Sequence, residues 1–199
     1  MNYEIEEFYK SEGYEIICGV DEAGRGPLAG PVCAAAVILP PGLDDLPIND
    51  SKKLSEKKRD ELFGDICKNA LAYSIAFVDE KEIDEINILN ATFKAMCRAI
   101  DGLSIASDLV LVDGNKTPGS GKKEIAIVKG DSKSISIAAA SILAKVSRDN
   151  VMYELDKKYP EYQFAKHKGY GTKLHYEMIK KYGISPVHRL SFLKNLDKK

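Results

Sequence analysis

The sequence predicts an α/β fold with a helical C-terminal quarter. Three observations carry this. The run Asp108-Leu109-Val110-Leu111-Val112-Asp113 lacks polar alternation, so it reads as a strand buried on both faces, as in parallel sheets. Several strand-like runs are followed by stretches with helix-opening caps, which is the alternation of an α/β domain. After the fifth strand, at residues 124–128, the remaining patterned stretches are helical.

Taken in order, residues 15–20 form the first predicted strand, ending at Asp21, and the turn Gly24-Arg25-Gly26-Pro27 follows. Residues 32–39 form a second apolar strand, closed by Pro40-Pro41-Gly42. Ser55 suits an N-cap for a helix to about Asn69, with Glu56 placed against the helix dipole. Residues 71–78 form the third strand. The pair Asp79 and Glu82 has capping-box spacing and opens a long helix to about Ile100. Residues 108–113 and 124–128 complete the strands. A helix runs from Ser132 to about Met152, and its Ala138-Ala139-Ala140 stretch allows close approach to a sheet. A last helix, residues 173–182, stops at Gly183. The organisation expected is a catalytic unit over residues 1–153, with a helical, basic region over 154–199 packed on the same domain and contributing to substrate binding.

A chain of 199 residues with 44% hydrophobic and 30% charged residues has globular composition. No apolar stretch approaches the ~20 residues that a bilayer requires. The first 15 residues carry five glutamates and one lysine, the opposite of an export signal's basic start, so a cytoplasmic, membrane-free protein is expected, with monomer as the default rather than an inference. Cys18, Cys33, Cys67 and Cys97 are widely spaced without CxxC, which argues against zinc and against a disulfide framework. The net charge of −1 conceals segregation: residues 1–150 hold 18 basic and 25 acidic side chains, residues 151–199 hold 11 and 5. A second basic cluster, Lys52, Lys53, Lys57, Lys58 and Arg59, follows a turn. Basic segments around an acidic body suit either solvated faces or a bound polyanion beside a carboxylate site.

The carboxylates point to chemistry. One buried-looking strand runs into Asp21-Glu22 and another into Asp113, and ligands of open α/β sheets collect at such carboxyl ends. Carboxylates brought together there repel unless a cation lies between them. Oxygen ligands select Mg²⁺ or Mn²⁺. Asp131, between the fifth strand and a helix, can supply a fourth. Alone, each of these aspartates also reads as a turn-starter or a helix cap. The spacing Gly24-x-Gly26-x-x-x-Gly30 is one residue too long for the dinucleotide fingerprint, and residues 114–123 lack the P-loop glycine and Ser/Thr. No nucleophile motif is present.

The block Gly19-Val20-Asp21-Glu22-Ala23-Gly24-Arg25-Gly26-Pro27-Leu28-Ala29-Gly30-Pro31-Val32 resembles the opening signature of the ribonuclease HII family. Further blocks agree in order: Asp50-Ser51-Lys52-Lys53-Leu54, Val112-Asp113-Gly114, Lys129-Gly130-Asp131 leading into residues 136–146, and His167-Lys168-Gly169-Tyr170-Gly171-Thr172. Gly130 stands where alanine is also common, and Gly114 where alanine is usual; neither touches a proposed ligand. The resemblance implies a ribonuclease H-like five-stranded mixed sheet flanked by helices, with a helical C-terminal extension. It implies Mg²⁺- or Mn²⁺-dependent hydrolysis of RNA in RNA–DNA hybrids and incision at single ribonucleotides in duplex DNA, leaving 5′-phosphate and 3′-hydroxyl ends through a two-metal site.

Carried over residue by residue, Asp21, Glu22, Asp113 and Asp131 would be the catalytic metal ligands. Gly24, Arg25 and Gly26 would read the 2′-hydroxyl, with Tyr170 against the same atom and the next sugar. Lys52, Lys53, Lys168 and Arg189 are candidate phosphate contacts. His167, His175 and His188 read as helix-surface or structural residues. Two alternatives stay open: a junction resolvase or related nuclease with the same carboxylates, and a non-catalytic nucleic-acid-binding module.

Overall fold

The computed structural model describes residues 4–43, 48 and 54–194. Lys52 and Lys53, two of the expected phosphate contacts, lie outside the described residues. The strands are β1 (Ile17–Ala23), β2 (Val32–Ile38), β3 (Ala72–Val78), β4 (Leu109–Asp113) and β5 (Glu124–Ile127), in one sheet ordered β3-β2-β1-β4-β5. β1, β2 and β3 pair antiparallel, and β4 and β5 continue the sheet parallel to β1. The mixed sheet predicted from the family blocks is therefore present.

Six α-helices accompany the sheet in the described residues: α1 (Glu4–Ser11), α2 (Glu56–Asn69), α3 (Glu80–Asp101), α4 (Ile135–Lys158), the single turn α5 (Phe164–His167) and α6 (Lys173–Tyr182). Two expected caps are in place. Ser55 accepts from the Lys58 N–H, and Asp79 accepts from the Glu82 N–H. The two faces of β2 split the core, because successive strand residues point to opposite sides. Cys33, Ala35 and Val37 pack under α2 and α4, while Val32, Ala34 and Ala36 pack with Ala91, Ala95 and Met96 of α3.

α4 crosses β1 at very short range. A Cβ built on Gly19 would lie 2.2 Å from the Ser136 carbonyl carbon, so glycine there is a packing requirement. Ala138, Ala139 and Ala140, each fully buried, continue the close contact, as their small size predicts.

Three boundaries and one helix interior differ from the sequence expectation. β1 continues three residues past Val20, because pairing of Asp21, Glu22 and Ala23 with Ala35, Ala34 and Cys33 extends the ladder. α4 starts at Ile135 behind the N-cap Ser134, preceded by a 3-10 turn at Gly130–Ser132, so Asp131 does not cap that helix. α4 also runs on to Lys158, through the 153/154 boundary, without a break. α3 is kinked at Asn87, whose φ of 67° is left-handed and whose Oδ1 accepts the N–H groups of Leu89 and Asn90 to restart the helix.

Candidate active site

Parallel pairing of β1 and β4 is what brings the carboxylates together. Val20 is the register partner of Val112, so Asp21 and Asp113 follow side by side at the carboxyl ends of adjacent strands. Asp21, Glu22 and Asp113 line one cavity of about 400 Å³, together with Gly24, Arg59, Ser141, Lys145, Arg148 and Tyr170. Acidic groups thus meet three cationic side chains in one cleft, an arrangement that can hold a cation and a phosphate at once.

The electrostatics of the trio follow from burial and proximity. Burial, then the charges of Glu22 and Asp113, hold the Asp21 carboxyl well above the usual carboxylate range, against a hydrogen bond from Ser141. Asp21 also accepts the Glu22 N–H at 2.7 Å. Glu22 is raised by burial and by Asp113, while Arg25, 3.4 Å from Glu22 Oε1, opposes the shift. Mutual repulsion of this kind is relieved by a bound cation. Asp113 is oriented by the Gly130 N–H, 2.6 Å from its Oδ1, so Gly130 does touch a proposed ligand, contrary to the sequence expectation. Asp131 is the next residue on that turn, buried, and is not among the residues lining the cavity.

Divalent metal fits this donor set. All the donors are hard carboxylate oxygens. No three His, Cys, Asp or Glu side chains are grouped tightly enough to cage one ion among the described residues. Magnesium needs no such cage, since one or two carboxylates plus water and substrate phosphate complete its octahedron.

Beside the carboxylates, the Gly24-Arg25-Gly26 turn is exposed at Arg25 and Gly26. Gly24 has φ of +97°, and a Cβ there would lie 2.0 Å from Arg148 Nε, so only glycine is accommodated. Tyr170, 45% exposed, faces Gly26. Lys168 is half-buried; its Nζ donates to the Ala165 carbonyl at 2.6 Å and lies 4.2 Å from the centroid of the Tyr153 ring.

Arg189 requires a correction. Expected on the surface against phosphate, it is fully buried, and its guanidinium donates to the carbonyls of Gly30 (2.9 Å), Arg25 (3.1 Å) and Gly24 (2.7 Å). Three donors fixed on backbone oxygens, with no solvent access, leave nothing to offer a phosphate. The histidines also differ from the helix-surface half of their expectation. His167, His175 and His188 are buried against Phe164, with His167 stacked on His175 at 4.3 Å. The four cysteines are free; Cys18 and Cys33 are buried, and burial pushes Cys18 up to about 12, as befits a core thiol.

Sequence reasoning gave no site role to Arg148, Ser141 or Lys145, while Arg59 belongs to the basic cluster it had set beside a carboxylate site. Arg148 donates to the Pro31, Lys168 and Ala29 carbonyls, tying α4 to the segment after the turn and to the residue two before Tyr170. Ser141 and Lys145 stand four residues apart on one face of α4, a spacing that pointed at the cleft once the strand ends were identified.

Comparison with known proteins agrees with this arrangement. A family model for Ribonuclease HII matches residues 18–195. Ribonuclease HII of Caldicellulosiruptor bescii is 60% identical over 194 residues, covering 98% of this chain and 94% of that protein. The Clostridioides difficile protein of the same name is 61% identical over 185 residues, covering 93% of this chain and 72% of its own. The solved ribonuclease H2 of Pyrococcus horikoshii OT3 superposes with a TM-score of 0.78 at 29% identity, over 92% of this chain and 96% of that one. Bst-RNase HIII, solved in complex with Mn²⁺, shares the fold with a TM-score of 0.69 at 17% identity, over 92% of this chain and 68% of that one. The family match covers every element that builds the cleft, from β1 to the segment carrying Arg189, and the chain accordingly belongs to the ribonuclease HII family, the endoribonucleases that hydrolyse the RNA of RNA–DNA hybrids.

Proposed function

We propose that this enzyme also incises duplex DNA at single embedded ribonucleotides, leaving 5′-phosphate and 3′-hydroxyl ends. In this reading Asp21, Glu22 and Asp113 hold two divalent cations, Mg²⁺ or Mn²⁺, with Asp131 joining from the 3-10 turn beside Asp113. The observation that carries it is the placement of the Gly24-Arg25-Gly26 turn and Tyr170 at the lip of the carboxylate cavity. A reader of the sugar thus stands next to the groups that act on the adjoining phosphate.

Divalent cations held there supply positive charge to the entering and leaving oxygens and acidify a bound water. The rest belongs to the chain. Ser141 and the Glu22 N–H fix the orientation of Asp21, and the Gly130 N–H fixes Asp113. Lys145, tied to Asp149 at 2.7 Å, and Arg59 supply positive charge along the cavity for the phosphate chain. Lys168 and, from the sequence alone, Lys52 and Lys53 are proposed as further phosphate contacts. Such contacts set register only, because phosphates are the same in RNA and DNA. Choice falls to the 2′-oxygen, which donates and accepts hydrogen bonds. The glycines let backbone approach it, and the Tyr170 hydroxyl and ring complete the contact.

The test is cleavage of a labelled DNA duplex carrying one ribonucleotide, against an all-DNA duplex of the same sequence, with and without Mg²⁺. Incision at the ribonucleotide only, and only with the metal, is expected. Cleavage of both duplexes would leave a resolvase-type nuclease, and salt-sensitive binding without cleavage a binding module.

A further inference from the structure

The Gly24-Arg25-Gly26 turn has two glycines and an exposed middle, so its conformation must be imposed from outside. Arg189 holds two of its carbonyls. It reaches the turn from a segment 164 residues beyond Arg25. Its own N–H donates to the Leu28 carbonyl at 2.8 Å, and its three guanidinium nitrogens take Gly24, Arg25 and Gly30. The segment is anchored in turn by Asp84, which accepts the N–H groups of Leu190 (2.8 Å) and Ser191 (2.9 Å). Among the described residues no carboxylate forms an ion pair with Arg189, so its charge is directed at peptide oxygens.

Peptide planarity then fixes where the opposite groups point. In a trans peptide the C=O of one residue and the N–H of the next lie on opposite sides of the chain. With the Gly24 carbonyl held inward, the Arg25 N–H faces outward; with the Arg25 carbonyl held inward, so does the Gly26 N–H. Neither N–H donates to another group of the described residues. A cation on the carbonyl side also polarises each peptide and strengthens its N–H as a donor.

We propose that Arg189 is a positioning residue for sugar selection: by holding the Gly24 and Arg25 carbonyls inward, it presents the Arg25 and Gly26 N–H groups to the ribose 2′-oxygen. This rests on the proposed reading that the turn selects the 2′-hydroxyl. A lysine cannot substitute, because a single ammonium does not match three carbonyls spread along a planar fork.

The experiment measures duplex binding by fluorescence anisotropy in Mg²⁺, in an Asp113→Asn background that holds turnover off. The readout is the ratio of the dissociation constant for an all-DNA duplex to that for the same duplex with one ribonucleotide. With Arg189 intact the ratio is expected to be about tenfold, the scale of one or two hydrogen bonds left unmade. Arg189→Lys should lower it about fivefold while all-DNA binding stays within about twofold, since the residue is buried and touches no phosphate. Asp84→Asn, on the half-buried anchor, should move the ratio the same way by a smaller factor, and it decides the matter should Arg189→Lys lose its cooperative melt. A ratio unchanged in the variants, with both constants rising together or only thermal stability falling, overturns the positioning role and leaves the reading of the turn intact. A ratio near one with Arg189 present overturns both.

Discussion

His188 Nε2 lies 3.0 Å from His175 Nε2 in the packed interior beneath Tyr170. The partners of the other ring nitrogens assign the protons. His175 Nδ1 faces the Tyr170 carbonyl at 3.0 Å and must donate, so its Nε2 accepts. His188 Nε2–H is then the donor, and His188 Nδ1 accepts the Ser185 N–H at 2.9 Å. His167 is satisfied likewise, between the Tyr162 carbonyl and the Gly169 N–H. Each ring is neutral and fully used, and a further proton on either side of the His175–His188 contact would set two N–H groups against each other.

Acid should therefore loosen the support of Tyr170. Burial, then the His167 charge, pushes His175 down to about 4, and burial pushes His188 to about 4, from an ordinary 6.5. The unfolded chain takes up these protons below about 6.5 and the folded one does not, so stability is complete above that pH and is lost as pH falls toward 4. Between pH 7 and pH 5 the loss is roughly 2–4 kcal/mol, or a fall in Tm of roughly 5–15 °C. Calorimetry across that range checks it, and a flat Tm would exclude the histidine cluster as the cause.

Asp113→Asn keeps the side-chain shape and can still meet the Gly130 N–H through its amide oxygen, but removes a negative charge from the cleft. Cleavage of a hybrid should fall ~10³-fold or more at saturating Mg²⁺, with an unchanged circular dichroism spectrum. Near-native turnover would remove Asp113 from the metal site.

Tyr170 should show a graded loss. Phe removes the hydroxyl and keeps the ring over Gly26; Ala removes both, and stacking is worth about 1–3 kcal/mol. Modest loss for Phe and about tenfold or more for Ala are expected in kcat/KM on the single-ribonucleotide duplex. Full activity of Tyr170→Ala would end its assignment.

Gly19→Ala tests the approach of α4 to β1. The new methyl would meet Ser136 backbone, which no rotamer change relieves, so a loss of roughly 1–3 kcal/mol or more is expected. Urea denaturation measures it directly, and an unchanged midpoint would mean that the helix shifts freely.

Much of this molecule was legible in its residues. The helices at Glu56–Asn69 and Lys173–Tyr182 follow from caps and stops that act within a few residues, and both have the expected bounds. The carboxylates at two strand ends, with the glycines after one of them, marked the cleft. What escaped was set by distant parts of the chain. Arg189 reads as a surface cation because nothing near it in sequence supplies the carbonyls that occupy it. The histidines are spread over residues 167–188: α5–α6 packing stacks His167 on His175, and the segment after α6 brings His188 back to them. The bend at Asn87 shows no Gly or Pro signal, because an Asn side chain caps the restarted helix. The extra length of β1 reflects its partner β2 rather than its own apolar run.

The long reach from Arg189 to Gly24 also sets an order of events during synthesis. All four proposed carboxylate ligands have been translated by residue 131, whereas the guanidinium that braces the sugar-reading turn comes 58 residues later. At about 5–20 residues per second, roughly 3–12 s separate the two. If the proposed roles of the turn and of Arg189 hold, a nascent or prematurely ended chain would carry every acidic group of the cleft before it had the means to tell ribose from deoxyribose, and selectivity would be acquired last.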